Sequence, residues 1–269
     1  MTRVRLGVVL YRNSLEELAT LVRSLQRLEQ REVTVEVRFI DNSPDDGLAA
    51  PVVAAFGAGA YRRTASNLGF GAAHNLEMTE AVRDRAEAYV CVNPDALLHP
   101  AAVEELWRVA IRPGTWLVDG RTLPEEHPKP YTAGEGETPW CAGTLLLIRA
   151  EAISELGGFD ENFFLYAEDV DLSWRVRAAG HLTRTAPRAW IHHWVEHRPL
   201  SLERRLEVLR SAAYLGHKWG APAFARRYER LYRVLAGHRP RLPAVTPISD
   251  PARRVADFSH GVRFARSRW

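Results

Sequence analysis

The sequence predicts an α/β protein, a mostly parallel sheet flanked by helices, with a helical C-terminal extension. Short apolar runs of strand length alternate with segments of helical period as far as about residue 193, and polar turn clusters close several of the runs. Composition agrees with a packed domain, since 46% of the 269 residues are hydrophobic and 26% charged.

Each element has a local reason. Val4 to Tyr11 reads as a buried strand that stops at the turn-forming Asn13-Ser14. Ser14 caps a helix running from Leu15 to Gln30, where Leu15, Leu18, Leu21, Val22, Leu25 and Leu28 recur at spacings of three and four. A second strand, Val33 to Ile40, ends in the turn cluster Asp41-Asn42-Ser43-Pro44-Asp45-Asp46-Gly47, and a third lies near Ala60-Tyr61-Arg62. A helix from Gly71 to Arg85 leads to the strand Ala88 to Val92 and the loop Asn93-Pro94-Asp95, and another helix spans Pro100 to Ala110. Residues 112–139 are rich in Pro, Gly and Glu without periodicity, which predicts a long surface loop. Thr144 to Arg149 is a strand, Glu168 to Ala179 a helix stopped by Gly180, and Thr183 to His193 the last strand. Two arginine-rich helices follow, Leu202 to Lys218 and Ala223 to Leu235, then a tail from Pro240 that wraps the body or frays. Right-handed crossovers bring the carboxyl ends of parallel strands to one edge, where open α/β sheets bind ligands. The expected division is a catalytic domain over 1–198 and an arginine-rich extension over 199–269.

Composition excludes several classes. Apolar runs are too short for a membrane-spanning helix, no leader segment is evident, and two cysteines, Cys91 and Cys141, cannot build a disulfide framework. A reducing cytoplasm is expected. The net charge of +3 hides an asymmetry: residues 198–269 hold 16 Lys and Arg against 5 acids, while residues 1–197 hold 20 against 28. With 34 arginines to 2 lysines, the basic end reads equally well as composition bias or as a surface for an anionic partner. The acidic body and the lack of an interleaved aromatic-basic motif argue against nucleic acid.

The chemistry-bearing residues stand at strand ends and helix starts: Asp41-Asn42, Asn93-Pro94-Asp95 and Glu168-Asp169. Carboxylates in such places can hold a divalent cation that neutralises a diphosphate. A glycine-bearing turn into a helix, Asn67-Leu68-Gly69-Phe70-Gly71, can bring backbone amides near a phosphate or base.

These pieces, together with Gly157-Gly158-Phe159-Asp160-Glu161-Asn162-Phe163-Phe164 and the run from Tyr166 to Arg175, resemble in order the family 2 glycosyltransferases of the Rossmann-like GT-A fold, especially their rhamnosyltransferase-like branch. The resemblance covers residues 4–198. It implies an inverting transfer of a sugar, with dTDP-L-rhamnose the best guess, from a nucleoside-diphosphate donor to a hydroxyl of a saccharide or polyprenyl-diphosphate-linked acceptor in cell-surface polysaccharide or glycoconjugate synthesis. A UDP-sugar donor, or a catalytically silent sugar-nucleotide binder, are the alternatives. The resemblance further implies Mg²⁺ or Mn²⁺ held by Asp95 and by His192 or His193; strand alternation lets only one of the pair face the site, and His192 is preferred. Asn93 departs from the family's usual aspartate. Asp41 would meet the base, Asn67 and Gly69 the nucleoside, and Asn42, Asn93 and Asp95 would belong to the same nucleotide-sugar site. Asp169 would act as general base beside Glu168. Trp140 would stack on sugar or fill the core, and Arg198, Arg204 and Arg205 would clamp phosphate or form a solvated face. Peripheral contact with the inner face of the cell membrane is a further expectation, since the basic end suits an anionic surface.

Overall fold

The computed structural model describes residues 1–64, 66–193 and 200–259. Strands β1 (Thr2–Leu10), β2 (Val33–Asp41), β3 (Tyr61–Arg63), β4 (Ala88–Val92), β5 (Ala96–Leu98), β6 (Thr115–Leu123), β7 (Leu145–Arg149) and β8 (Leu182–His193) form one sheet in the order β3-β2-β1-β4-β7-β6-β8-β5. The first four strands of that order are parallel. β7 runs antiparallel to both β4 and β6, and β8 runs parallel to β6. The carboxyl ends of β1, β2, β4, β6 and β8 therefore share one edge with the amino end of β7, and the loops that leave this edge carry the candidate site.

Helices α1 (Leu15–Leu25), α2 (Ala49–Phe56) and α4 (Ala102–Ala110) cover one face, whereas α3 (Phe70–Arg83), α5 (Ala150–Leu156) and α6 (Glu168–Ala178) cover the other. Central strands are apolar on both sides for this reason. Val90 and Val92 of β4 join the first core with Leu145 and Leu147 of β7, while Tyr89 and Cys91 join the second with Leu146 and Ile148. Helix α1 starts at a capping box: the Glu17 amide donates to Ser14 Oγ at 3.2 Å and the Ser14 amide to Glu17 Oε2 at 2.8 Å.

Residues 112–139 are not all surface loop, because β6 occupies 115–123 near the sheet centre. Its signal is the short run Trp116-Leu117-Val118 before Asp119-Gly120, which the surrounding Pro, Gly and Glu obscure. At the C-terminal end, α7 (Leu202–Lys218) and α8 (Pro222–Ala236) pack as an antiparallel pair. Trp219 meets Trp174 edge to face at 5.3 Å, and Leu242, Val245, Ile248 and Phe258 close over that cluster, so the described part of the tail wraps the body.

Candidate active site

The site is built outward from the end of β4. The Asn93 amide donates to the Thr144 carbonyl at 3.1 Å, joining the β4 loop to the segment that opens β7. Next to Thr144, the Gly143 amide donates to Asp169 Oδ2 at 2.8 Å in the first turn of α6. On the other side, Asp95 Oδ1 lies 3.0 Å from His193 Nε2 at the end of β8, with Asn93 Nδ2 3.5 Å from the same nitrogen. One continuous run of contacts thus joins Asp169, Gly143, Thr144, Asn93, His193 and Asp95, residues far apart in sequence.

The histidine that reaches Asp95 is His193 and not the preferred His192. His193 is buried and His192 exposed, so alternation holds but its phase is opposite to the expectation. A register shift between β6 and β8 at Gly120/Arg121 leaves Pro187 and Arg188 as an exposed pair and sets the inward positions that follow.

Glu168 and Asp169 begin α6 directly after two residues in the left-handed region, Tyr166 at φ 71° and Ala167 at φ 70°. Non-glycine residues adopt that region at a cost, so this corner stores strain where the acidic pair is presented. Burial pushes the Asp169 carboxyl up to about 6, opposed by hydrogen bonds from the Gly143 and Val170 amides and by the field of Lys129. Burial and then the neighbouring Asp169 hold Glu168 well above the usual carboxylate range. Among the described residues Glu168 Oε2 has no hydrogen-bond partner. Both carboxyls therefore hold their protons to higher pH than free carboxylates do.

Two residues that sequence reasoning missed brace this centre. Asp119 is wholly buried on β6 and accepts from Thr185 Oγ1 and the Ala142 amide, each at 2.8 Å, while pairing with Lys129. Lys129 Nζ also donates to the Trp140 carbonyl at 2.8 Å and sits 5.2 Å from the centre of its ring. Segment 140–143 is thus held between Asp119 and Asp169. The chain's other lysine, Lys218, is buried as well, with Nζ 2.7 Å from Asp160 Oδ2 and 2.8 Å from Asp171 Oδ1. Both lysines sit where a compact ammonium is required, which distinguishes them from the exposed arginines.

Trp140 is 6% exposed and belongs to the core cluster of Phe163, Trp174 and Trp219, which corrects the sugar-stacking expectation: burial uses its faces for packing. Asp41 is fully buried. Its carboxylate accepts from Tyr61 Oη at 2.7 Å and the Ser43 amide at 2.8 Å, so it shapes the β2 loop instead of presenting itself to a base. Asn42, also buried, donates to the Gly69 carbonyl at 3.1 Å and to Asn67 Oδ1 at 3.2 Å. Gly69 has φ 83°, and a Cβ there would lie 2.2 Å from the Phe164 carbonyl oxygen, so only glycine lets the two loops meet. An open cleft of about 520 Å³ adjoins these loops, lined by Arg12, Asn13, Ser43, Asp45 and Leu48 among others. Arg204 and Arg205 stand exposed in the first turn of α7, and the field of Arg204 acts on the half-buried Tyr166 phenol together with those of Glu168 and Asp95. Arg198 lies outside the described residues. Both cysteines are buried and burial pushes their thiols up, which suits packing and not nucleophilic attack.

An open α/β sheet with this connectivity, and with acids and amides gathered at its carboxyl edge, is the arrangement of the GT-A fold. Solved structures agree on the fold. The mannosyltransferase PcManGT of Pyrobaculum calidifontis, solved with GDP-Man and Mn²⁺, superposes with a TM-score of 0.62 at 16% identity over 98% of this chain and 81% of its own. GalNAc-T7, solved with UDP, GalNAc and Mn²⁺, gives 0.62 at 14% identity over 91% and 59%. No protein-family model matches. By sequence the chain is 29% identical over 207 residues, 61% of its length and 67% of the relative's, to N-acetylglucosaminyl-diphospho-decaprenol L-rhamnosyltransferase of Mycobacterium tuberculosis. It is 33% identical over 70 residues, 26% of each chain, to rhamnosyltransferase WbbL of Escherichia coli. The chain thus has the GT-A fold and is similar in sequence to rhamnosyltransferases.

Proposed function

We propose that the protein transfers a sugar, L-rhamnose from dTDP-L-rhamnose in the first instance, to a hydroxyl of a polyprenyl-diphosphate-linked saccharide, with inversion at the anomeric carbon. The observation that carries this reading is the convergence of Asp95 with His193 and of Glu168 with Asp169 on one sheet edge, tied together through Asn93, Thr144 and Gly143. The relative's diphospho-decaprenol acceptor supports the lipid-linked substrate.

Asp169 acts as general base. The acceptor oxygen attacks the anomeric carbon as its proton passes to the Asp169 carboxylate, and the bond from that carbon to the diphosphate oxygen breaks, releasing the nucleoside diphosphate. A base near neutrality suits this transfer, and burial supplies that tuning. Single displacement needs no covalent glycosyl-enzyme. Glu168, kept protonated, offers its unpaired buried oxygen to a sugar hydroxyl. The cleft beside Arg12, Asn13 and Ser43 takes the base, and Asn67 and Gly69 line the nucleoside path. Exposed Arg204 and Arg205 meet phosphate.

Asp95 and His193 offer one hard oxygen and one imidazole nitrogen side by side, which fits Mg²⁺ or Mn²⁺. Among the described residues no three His, Cys, Asp or Glu converge to cage a metal, so the diphosphate and water must complete the shell. When bound, the ion neutralises charge on the leaving diphosphate.

Calorimetric titration with dTDP, UDP and GDP, each with and without Mn²⁺, tests this reading. The expected result is tightest binding to dTDP, strengthened by Mn²⁺, with Asp95→Ala weakening the Mn²⁺-dependent component by roughly tenfold or more. Failure of all three nucleotides to bind would contradict it.

A further inference from the structure

The exposed face of α8 takes no part in the chemistry above. At about 100° per residue, Arg226, Arg227, Arg230 and Arg233 fall on one arc with Leu231 and Val234, and all six are exposed, Leu231 by 42% and Val234 by 78%. The opposite side is buried, with Ala225 and Tyr228 turned into the contact with α7. Glu229 is the helix's one acid, and it is engaged at 2.7 Å by His217 Nε2. The outer arc is thus uniformly cationic and carries two branched aliphatic side chains in water.

We infer that this face docks on an anionic lipid bilayer, the arginines meeting headgroup phosphates while Leu231 and Val234 enter the boundary with the acyl chains. Charge complementarity names the surface as anionic, and the exposed aliphatics interleaved with arginine favour a bilayer over a nucleic acid, whose backbone offers them nothing. Among the described residues no helix is long and apolar enough to cross a membrane, so attachment by this face is peripheral. The orientation is consistent with access to a lipid-linked substrate. Gly216 lies against Ala225 and the Ala212 and Ala213 pair against Tyr228, so the later turns of α8 return toward the end of α7 that carries Arg204 and Arg205.

The docking surface does not depend on the glycosyl-transfer reading, because it is measured without donor or acceptor. The full chain is sedimented with phosphatidylcholine vesicles and with vesicles containing about one-third phosphatidylglycerol, at low salt and at about 0.5 M salt. Binding is expected only to the anionic vesicles and is expected to fall steeply at high salt. The triple variant R226E/R230E/R233E should lose on the order of 100-fold in vesicle affinity. R226K/R230K/R233K should retain most of it, since the headgroup reads charge, and the neutral Val234→Ser should weaken it without changing the salt dependence. Equal binding to both vesicle types, no wild-type binding to anionic vesicles, or undiminished binding by a folded glutamate variant would each overturn the inference. So would a basic face that retains the chain on immobilised polyanion but leaves it unbound by anionic vesicles.

Discussion

Replacing Asp169 with Asn is expected to lower kcat by about 10²–10⁴-fold, the usual contribution of a positioned general base. Donor-nucleotide affinity should stay within a few-fold of wild type, because the substituted side-chain amide would keep an oxygen for the Gly143 amide that Asp169 now receives at 2.8 Å. The pH dependence follows from the same group. The base works when ionised and burial places its titration at about 6, so kcat/KM should fall as pH drops through that value and level off above it. Lys129 holds the Asp169 titration down, so Lys129→Met should move the acid limb to higher pH. Steady-state rates from about pH 4.5 to about pH 9 read both effects, since that range brackets the titration. An Asn variant with full activity, or an acid limb unmoved by Lys129→Met, would contradict the assignment.

Replacing Asp119 with Ala is expected to cost about 3–5 kcal/mol of folding stability, which lowers the melting temperature by roughly 10 °C. The loss has three parts. Lys129 would be left buried and unpaired, and the Thr185 hydroxyl and Ala142 amide would lose their acceptor. The double variant Asp119→Asn, Lys129→Met removes both charges at once and should recover much of the loss, since breaking one partner of a buried pair costs more than removing both. Denaturant unfolding of wild type and both variants checks this. A cost below about 1 kcal/mol for Asp119→Ala would show that segment 140–143 is held by other contacts.

Whatever depends on local spacing was legible in the sequence. The Ser14 helix cap, the stripe on α1, the buried apolar strands and the glycine at the Asn67–Gly71 turn are each decided within a few residues, and each is present. Glu168 and Asp169 were visible as a helix-start acidic pair, but the strain that presents them at Tyr166 and Ala167 was not, because neither residue type signals a left-handed backbone. β6 was missed because a three-residue apolar run is stabilised by partners far away, β7 and β8, and not by its own pattern. Asp119 and Lys129 went with it. Strand alternation lets only one of His192 and His193 face the site but does not say which, and the irregularity at Pro187 and Arg188, which no local composition announces, sets the phase in favour of His193. Trp140 and Asp41 show a different limit. Their residue types suit a ligand as well as a core or a turn, and only burial decides between those uses.

The most direct test of single displacement with Asp169 as base is the transfer reaction itself, run with dTDP-L-rhamnose, an N-acetylglucosaminyl-diphospho-polyprenol analogue and Mn²⁺, with the anomeric configuration of the product read by nuclear magnetic resonance. The expected product is rhamnosylated with an anomeric configuration opposite to that of the donor, formed by wild type and lost in Asp169→Asn. A product with retained configuration, or one formed equally well by the Asn variant, would contradict that mechanism.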